Sequence, residues 1–107
     1  MAHYKPCDVV LIAFPFTHLK KVKKRPALVL LNVGDGDVLV ARITSKIIDT
    51  DFDVTITEWK NAGLIFPSVV RLHKIATIEE TAIEKKIGVL CVKDWKNARV
   101  AIKKLFR

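Results

Sequence analysis

Five of the eight residues from His18 to Arg25, HLKKVKKR, are lysine or arginine, and the run sits between two apolar stretches. Cations at that density either coat a solvated hairpin loop or form an arm over a polyanion, where each phosphate contact adds salt-sensitive affinity. Lys20, Lys21, Lys23 and Lys24 are the candidate phosphate contacts, with His18 at the head of the run. Phe14 and Phe16 just upstream are core residues or, if exposed, surfaces on which bases stack. Arg25 differs from the lysines. It directly precedes Pro26 and an apolar run, so its backbone is held extended while the guanidinium reaches outward. A planar fork of five donors suits a phosphate better than a mobile ammonium does. A second stretch, Arg42-Ile43-Thr44-Ser45, ends an apolar run, and strand alternation puts Arg42 and Thr44 on one face. Hydroxyls at a strand end donate to a phosphate oxygen or cap the turn that follows, and the sequence leaves both roles open.

The remaining chemistry is thin. His3, His18 and His73 are far apart, and no HxxxH, CxxC or HExxH spacing is present, so a metal site is not expected. Asp49, Asp51 and Asp53 lack the glycine and terminal glutamate of an EF-hand loop and read as a solvated acidic edge. Cys7 and Cys91 are too few and too distant for a disulfide framework and read as reduced thiols. No cofactor is implied.

The elements that must position these residues are short. Asp8–Phe14 is a β-rich apolar run that Pro15 is expected to stop, and Pro26–Val33 is a second. Gly34-Asp35-Gly36-Asp37 supplies a tight reversal into Val38–Thr44, which predicts a hairpin. Asp53–Thr57 alternates apolar and polar, and Glu58–Ala62 reads as one helical turn closed by Gly63. Ser68–Leu72, Lys74–Ile78 and Lys86–Leu90 complete the strands. Lys93–Phe106 has helical spacing and is expected to pack on the sheet through a Trp95/Ile102 stripe. Many short strands and one late helix predict a small, strongly curved antiparallel β-barrel, one domain over residues 1–107.

The charge balance narrows the partners. Nineteen Lys and Arg against eleven Asp and Glu leave +8 on 107 residues, which favours polyanions. The longest apolar stretches, such as Ala27–Leu31, fall far short of the ~20 apolar residues that cross a bilayer. No uninterrupted apolar leader precedes Lys5, Cys7 and Asp8, and no basic amphipathic terminal helix with exposed aromatics points to a membrane surface. A soluble, cytoplasmic, nucleic-acid-facing protein is therefore expected.

In order along the chain, CDVVLIAFPFT, KKRPALVL, ARITS and GLIFPSVVRLHKIATIE resemble the MazF/PemK family of toxin–antitoxin ribonucleases. The carrying elements are the Arg-Pro at a strand start, the Ile-Thr-Ser at a strand end and the Ser-Val-Val-Arg block, and the likeness runs from about Asp8 to the terminal helix. The resemblance implies an SH3-like barrel with a C-terminal helix, a homodimer, and metal-independent cleavage of single-stranded RNA to 2′,3′-cyclic phosphate and 5′-OH ends. It also implies an acidic antitoxin that covers the site. It makes Arg25 and Thr44 the main catalytic pair, with Ser45 beside them, and adds Arg71, His73 and His18 as contributors. Two positions depart from the family pattern: His73 stands where an aspartate is usual, and Cys7 where a glycine is usual. Two other readings remain open, a non-catalytic barrel that binds RNA, antitoxin or a gyrase-type protein target, and a degenerate toxin that no longer cuts.

Overall fold

The computed structural model describes residues 3–16 and 21–106, and of residues 14–16, 21 and 22 it describes the backbone. The chain runs β1 (Asp8–Phe16), β2 (Lys21–Leu31), β3 (Asp37–Thr44), β4 (Asp53–Thr55), β5 (Val69–Glu79), a 3₁₀ turn (Glu80–Ala82), β6 (Ile83–Val89) and α1 (Val92–Lys104). The six strands form one sheet in the order β4-β5-β3-β2-β1-β6, and every neighbouring pair is antiparallel. The class is the expected one, mainly β with a C-terminal helix. The ring is not closed, however, because β4 and β6 are unpaired edges among the described residues. Beside β6 lie residues 62 and 63: an added Cβ on Gly63 would overlap the Ile87 carbonyl, and one on Gly88 would overlap Ala62.

Both faces of the central strands are buried, which is why their sequences read as continuous apolar runs rather than as clean alternation. Val9, Leu28, Ala41, Ile43, Val70 and Leu72 enter the larger core together with Ile56, Ala62, Leu90, Ala98 and Ala101. Val10, Ile12, Ala27, Val29, Val38, Val40 and Ile83 form a second core on the opposite face. Complete burial of a side chain such as Leu28 contributes about 1.5–3 kcal/mol each, so these two layers carry most of the stability.

Local departures from the sequence reading have definite causes. Pro15 does not end β1 but pairs with Val22. Beyond Ile12 the strand has no β6 neighbour, so in that stretch β1 is an edge, where a missing N–H is tolerated. The cationic run is not all loop either, since Lys21–Arg25 is the first half of β2. The two segments expected around His73 are one strand, β5, interrupted in its pairing. Arg42 faces Arg71 and Ala41 faces Ile75, so residues 72–74 form a bulge. The Gly34–Asp37 reversal is as expected, with Gly34 at φ 84° and Gly36 at φ 95°. Cys7 has φ 81°, the left-handed conformation for which a glycine would be the usual residue. Helix α1 stops two residues short of Phe106. Ala98 and Ala101 are its buried contacts, with Trp95 and Ile102 half-buried on either side of them.

Candidate functional site

The β2–β3 ladder pairs Leu28 with Ala41 and Ala27 with Arg42. The pairing ends there, and Arg25 and Thr44 lie two residues beyond it on their respective strands. These two residues line a groove of about 390 Å³, with Ser45 following Thr44, Lys24 preceding Arg25 and Lys85 reaching in from β6. Its apolar floor includes Leu11, Pro26, Ile43 and Ile87. The extended backbone that Pro26 imposes on Arg25 holds the arginine in the ladder.

The polar groups of the groove are largely unengaged. Arg25 has no carboxylate partner among the described residues, and no Asp or Glu lines the groove. Lys24 Nζ donates to Glu84 Oε1 at 2.8 Å, an exposed pair that contributes at most about 1 kcal/mol and can yield to another anion. Thr44 Oγ1 accepts the Lys46 N–H at 3.1 Å. The turn-capping role thus uses the oxygen as an acceptor, and the hydroxyl proton is left to donate into the groove. Lys23 is exposed on β2; the side chain of Lys21 is not described, and His18 and Lys20 lie outside the described residues.

One wall is the segment from Gly63 to Ser68. Gly63 donates to the Lys60 carbonyl at 3.0 Å and Leu64 to the Trp59 carbonyl at 3.0 Å, the paired bonds of a Schellman motif. Gly63 adopts φ 80° and lies tight on Ile87, so neither its conformation nor its space admits a side chain. At the far end Ser68 Oγ donates to the Phe66 carbonyl at 2.8 Å, and the Ile56 N–H bonds the Ser68 carbonyl at 3.0 Å. Between these anchors Ile65 and Phe66 stand 81 % and 61 % exposed.

Arg71 and His73 are elsewhere. Arg71 faces Asp53 across the β4–β5 ladder and donates through Nε to Asp53 Oδ1 at 2.9 Å. The other Asp53 oxygen accepts from the Thr50 N–H at 3.0 Å and the Thr50 hydroxyl at 2.6 Å. Burial pushes the Asp53 carboxyl up, but the Thr50 and Arg71 hydrogen bonds outweigh it and hold the group below its ordinary value. Asp53 is therefore not part of a solvated edge. Its side chain is 1 % exposed, whereas Asp49 and Asp51 are exposed. His73 Nε2 lies 3.3 Å from Arg71 Nη2, and its ring sits 5.7 Å from that of Phe52. Its Nδ1 is buried and has no hydrogen-bond partner among the described residues. The groove thus gathers Lys24, Arg25, Thr44 and Ser45, while Arg71 and His73 form a separate knot on β5.

Residues 5–106 match the profile of the PemK-like, MazF-like toxins of type II toxin–antitoxin systems. The chain belongs to this family. No curated protein matches it in sequence. Solved structures share its fold. The Mycobacterium tuberculosis toxin MazF-mt6 is 24 % identical with TM-score 0.77, covering 92 % of this chain and 95 % of its own. A MazE–MazF structure from Deinococcus radiodurans is 17 % identical with TM-score 0.78, covering 98 % and 96 %. An endoribonuclease in complex with its cognate antitoxin, from a mycobacterial species, is 14 % identical with TM-score 0.76, covering 95 % and 93 %.

Several features of this PemK/MazF-type toxin were not read from its sequence. Lys85 and the exposed Ile65-Phe66 tip enter the groove from separate elements, Lys85 through the pairing of β6 with β1 and the tip through the close packing of Gly63 on Ile87. Asp94, in the first turn of α1, is fully buried and accepts from the Thr57 N–H at 2.8 Å, the Thr57 hydroxyl at 2.9 Å and the Glu58 N–H at 3.4 Å. An acidic residue in a helix's first turn suggests only a favourable dipole contact, yet here it fastens the helix to the segment leading into the groove wall. Both cysteines are free, and burial together with the Asp8 charge pushes the Cys7 thiol up, away from nucleophilic use. Among the described residues no cluster of three His, Cys, Asp or Glu side chains could hold a metal ion, and no helix is long and apolar enough to cross a membrane.

Proposed function

We propose that this toxin is an endoribonuclease that cuts single-stranded RNA in the Arg25–Thr44 groove, using the ribose 2′-OH as the internal nucleophile. The observation that carries the reading is that Arg25 and Thr44 line one groove whose charged lining residues are all cations. The 2′-OH loses its proton as its oxygen bonds to the adjacent phosphorus, and the P–O5′ bond breaks to leave a 2′,3′-cyclic phosphate. The 5′-oxygen takes up a proton to become a 5′-OH, so the net change is a proton moved from the 2′- to the 5′-oxygen. The enzyme's task is to align the 2′-OH and to stabilise charge on the phosphorane. Arg25 holds the non-bridging oxygens with two parallel donors, Thr44 donates its hydroxyl proton to the same phosphate, and Ser45 and Lys24 bind the flanking strand. Such electrostatic work needs no metal, and a lining without carboxylates is a poor cradle for a hard divalent cation.

His73 keeps a proposed part in proton transfer although it lies outside the groove lining; Arg71, whose charge Asp53 already balances, is proposed to hold the histidine ring rather than to bind the RNA itself. A pH–rate profile that is the same in wild type and His73→Ala assigns the histidine to packing instead. The toxin acts in the cytoplasm as a homodimer and is neutralised by an acidic antitoxin segment that competes with RNA by charge. That reading is supported by the family and by the neighbours solved as toxin–antitoxin complexes.

The test is cleavage of a long single-stranded RNA in EDTA by wild type and Arg25→Ala side by side. Cutting by wild type that is lost in the variant supports the proposal. Absence of cutting by folded wild-type protein favours a degenerate or purely binding family member.

A further inference from the structure

The groove pairs its cations with an aromatic ring that the fold keeps exposed. Phe66 lines the same groove as Arg25, Thr44 and Lys85 while remaining 61 % exposed. The segment that carries it is tied at both ends. The Schellman bonds and the Gly63–Ile87 packing fix its start, and the Ser68–Phe66 and Ile56–Ser68 hydrogen bonds fix its end. The backbone at Phe66 is thus held and the ring is presented outward, next to charges that attract a phosphate chain.

We infer that Phe66 is the base-stacking platform of the groove, receiving an unstacked base of the RNA strand whose phosphates lie on Arg25 and Lys85. Single-stranded nucleic acid is held by this combination, a cationic track for the backbone and an aromatic face for the bases. The flat face of phenylalanine discriminates by stacking strength, so Phe66 contributes to base preference without a hydrogen bond. The inference rests on the ribonuclease reading and names a specificity-determining residue within it.

The probes are two fluorescein-labelled 2′-O-methyl oligonucleotides of equal length, one bearing bases and one abasic, neither cleavable through its 2′-oxygen. Wild type binds the base-bearing strand more tightly by about 5-fold to about 150-fold, the range of one stacked base. Phe66→Ala brings the two affinities close together, Phe66→Trp keeps them apart, and the slope of affinity against salt is the same in all three proteins. Lys85→Ala lowers that slope by about one. Equal preference for bases in wild type and Phe66→Ala overturns the inference, as does a Phe66→Ala defect confined to antitoxin binding or self-association. Wild type that cuts RNA while Phe66 proves indifferent leaves the ribonuclease reading standing and removes this one; wild type that binds neither strand removes both. Thermal unfolding of each variant confirms that an exposed ring was removed without loss of fold.

Discussion

Two regions of this molecule use the same residue types to opposite ends. In the β5 knot Arg71 is matched to Asp53, both Asp53 oxygens are engaged, and the pair is largely withdrawn from water. In the groove Arg25 has no carboxylate near it among the described residues, Thr44 keeps its hydroxyl proton, and the nearby ion pair of Lys24 is exposed. A saturated polar cluster is committed to the fold, because removing one partner strands another buried charge. An unsaturated one does little for the fold and is available to a ligand. The difference separates two arginines that the sequence reading assigns alike to the RNA site, Arg25 as catalytic and Arg71 as a contributor.

The largest expected effect breaks the knot. Arg71→Ala leaves the Asp53 carboxylate buried and uncompensated and lowers unfolding stability by about 3–5 kcal/mol, read by urea denaturation. The groove counterpart has the opposite signature. Arg25→Ala slows cleavage by about 10²- to 10³-fold, and its unfolding curve stays within about 0.5 kcal/mol of wild type. A variant that loses activity and stability together would erase the contrast.

Asp94→Ala sharpens it from a third place, since the Thr57 and Glu58 N–H groups lose their acceptor at a fully buried site. Each orphaned donor costs about 1–3 kcal/mol, and the folded fraction should still cut at the wild-type rate. The knot also has a pH signature. Asp53 titrates below its ordinary value of about 3.9, so its contribution is complete above that pH and is lost as pH falls through the lower, folded-state value. Denaturation between pH 6 and 3 should show a steeper loss in wild type than in Asp53→Asn. The smallest effect is at Cys7, where a left-handed L-residue costs about 1–2 kcal/mol. Cys7→Gly relieves that cost against the loss of a half-buried side chain, and Cys7→Val worsens it, so the glycine variant should melt above the valine variant.

Much of this was legible in the sequence. The apolar runs gave the core strands, the Gly34–Asp37 turn gave the β2–β3 hairpin, and the Arg-Pro and Ile-Thr-Ser elements named two residues that line one groove. Other features were hidden because they arise from pairing between distant segments. Nothing around Lys85 or Phe66 says that β6 and the Gly63–Ser68 segment will meet at the Arg25 groove. His73 shows the same limit from the other side. The family resemblance puts it in the same site as Arg25 and Thr44, whereas the structure sets it beside Arg71 and Phe52, outside the groove lining. Asp53 looked like one of three equivalent surface acids until its cross-strand neighbour proved to be Arg71.

The most direct test of the central claim is end-group analysis of RNA fragments produced by wild type in EDTA, beside a DNA strand of the same sequence. Cyclic phosphate and 5′-OH ends on the RNA fragments, with the DNA intact, are the predicted result. Fragments ending in 3′-OH and 5′-phosphate, or equal cutting of the DNA, would contradict a reaction driven by the 2′-oxygen in the Arg25–Thr44 groove.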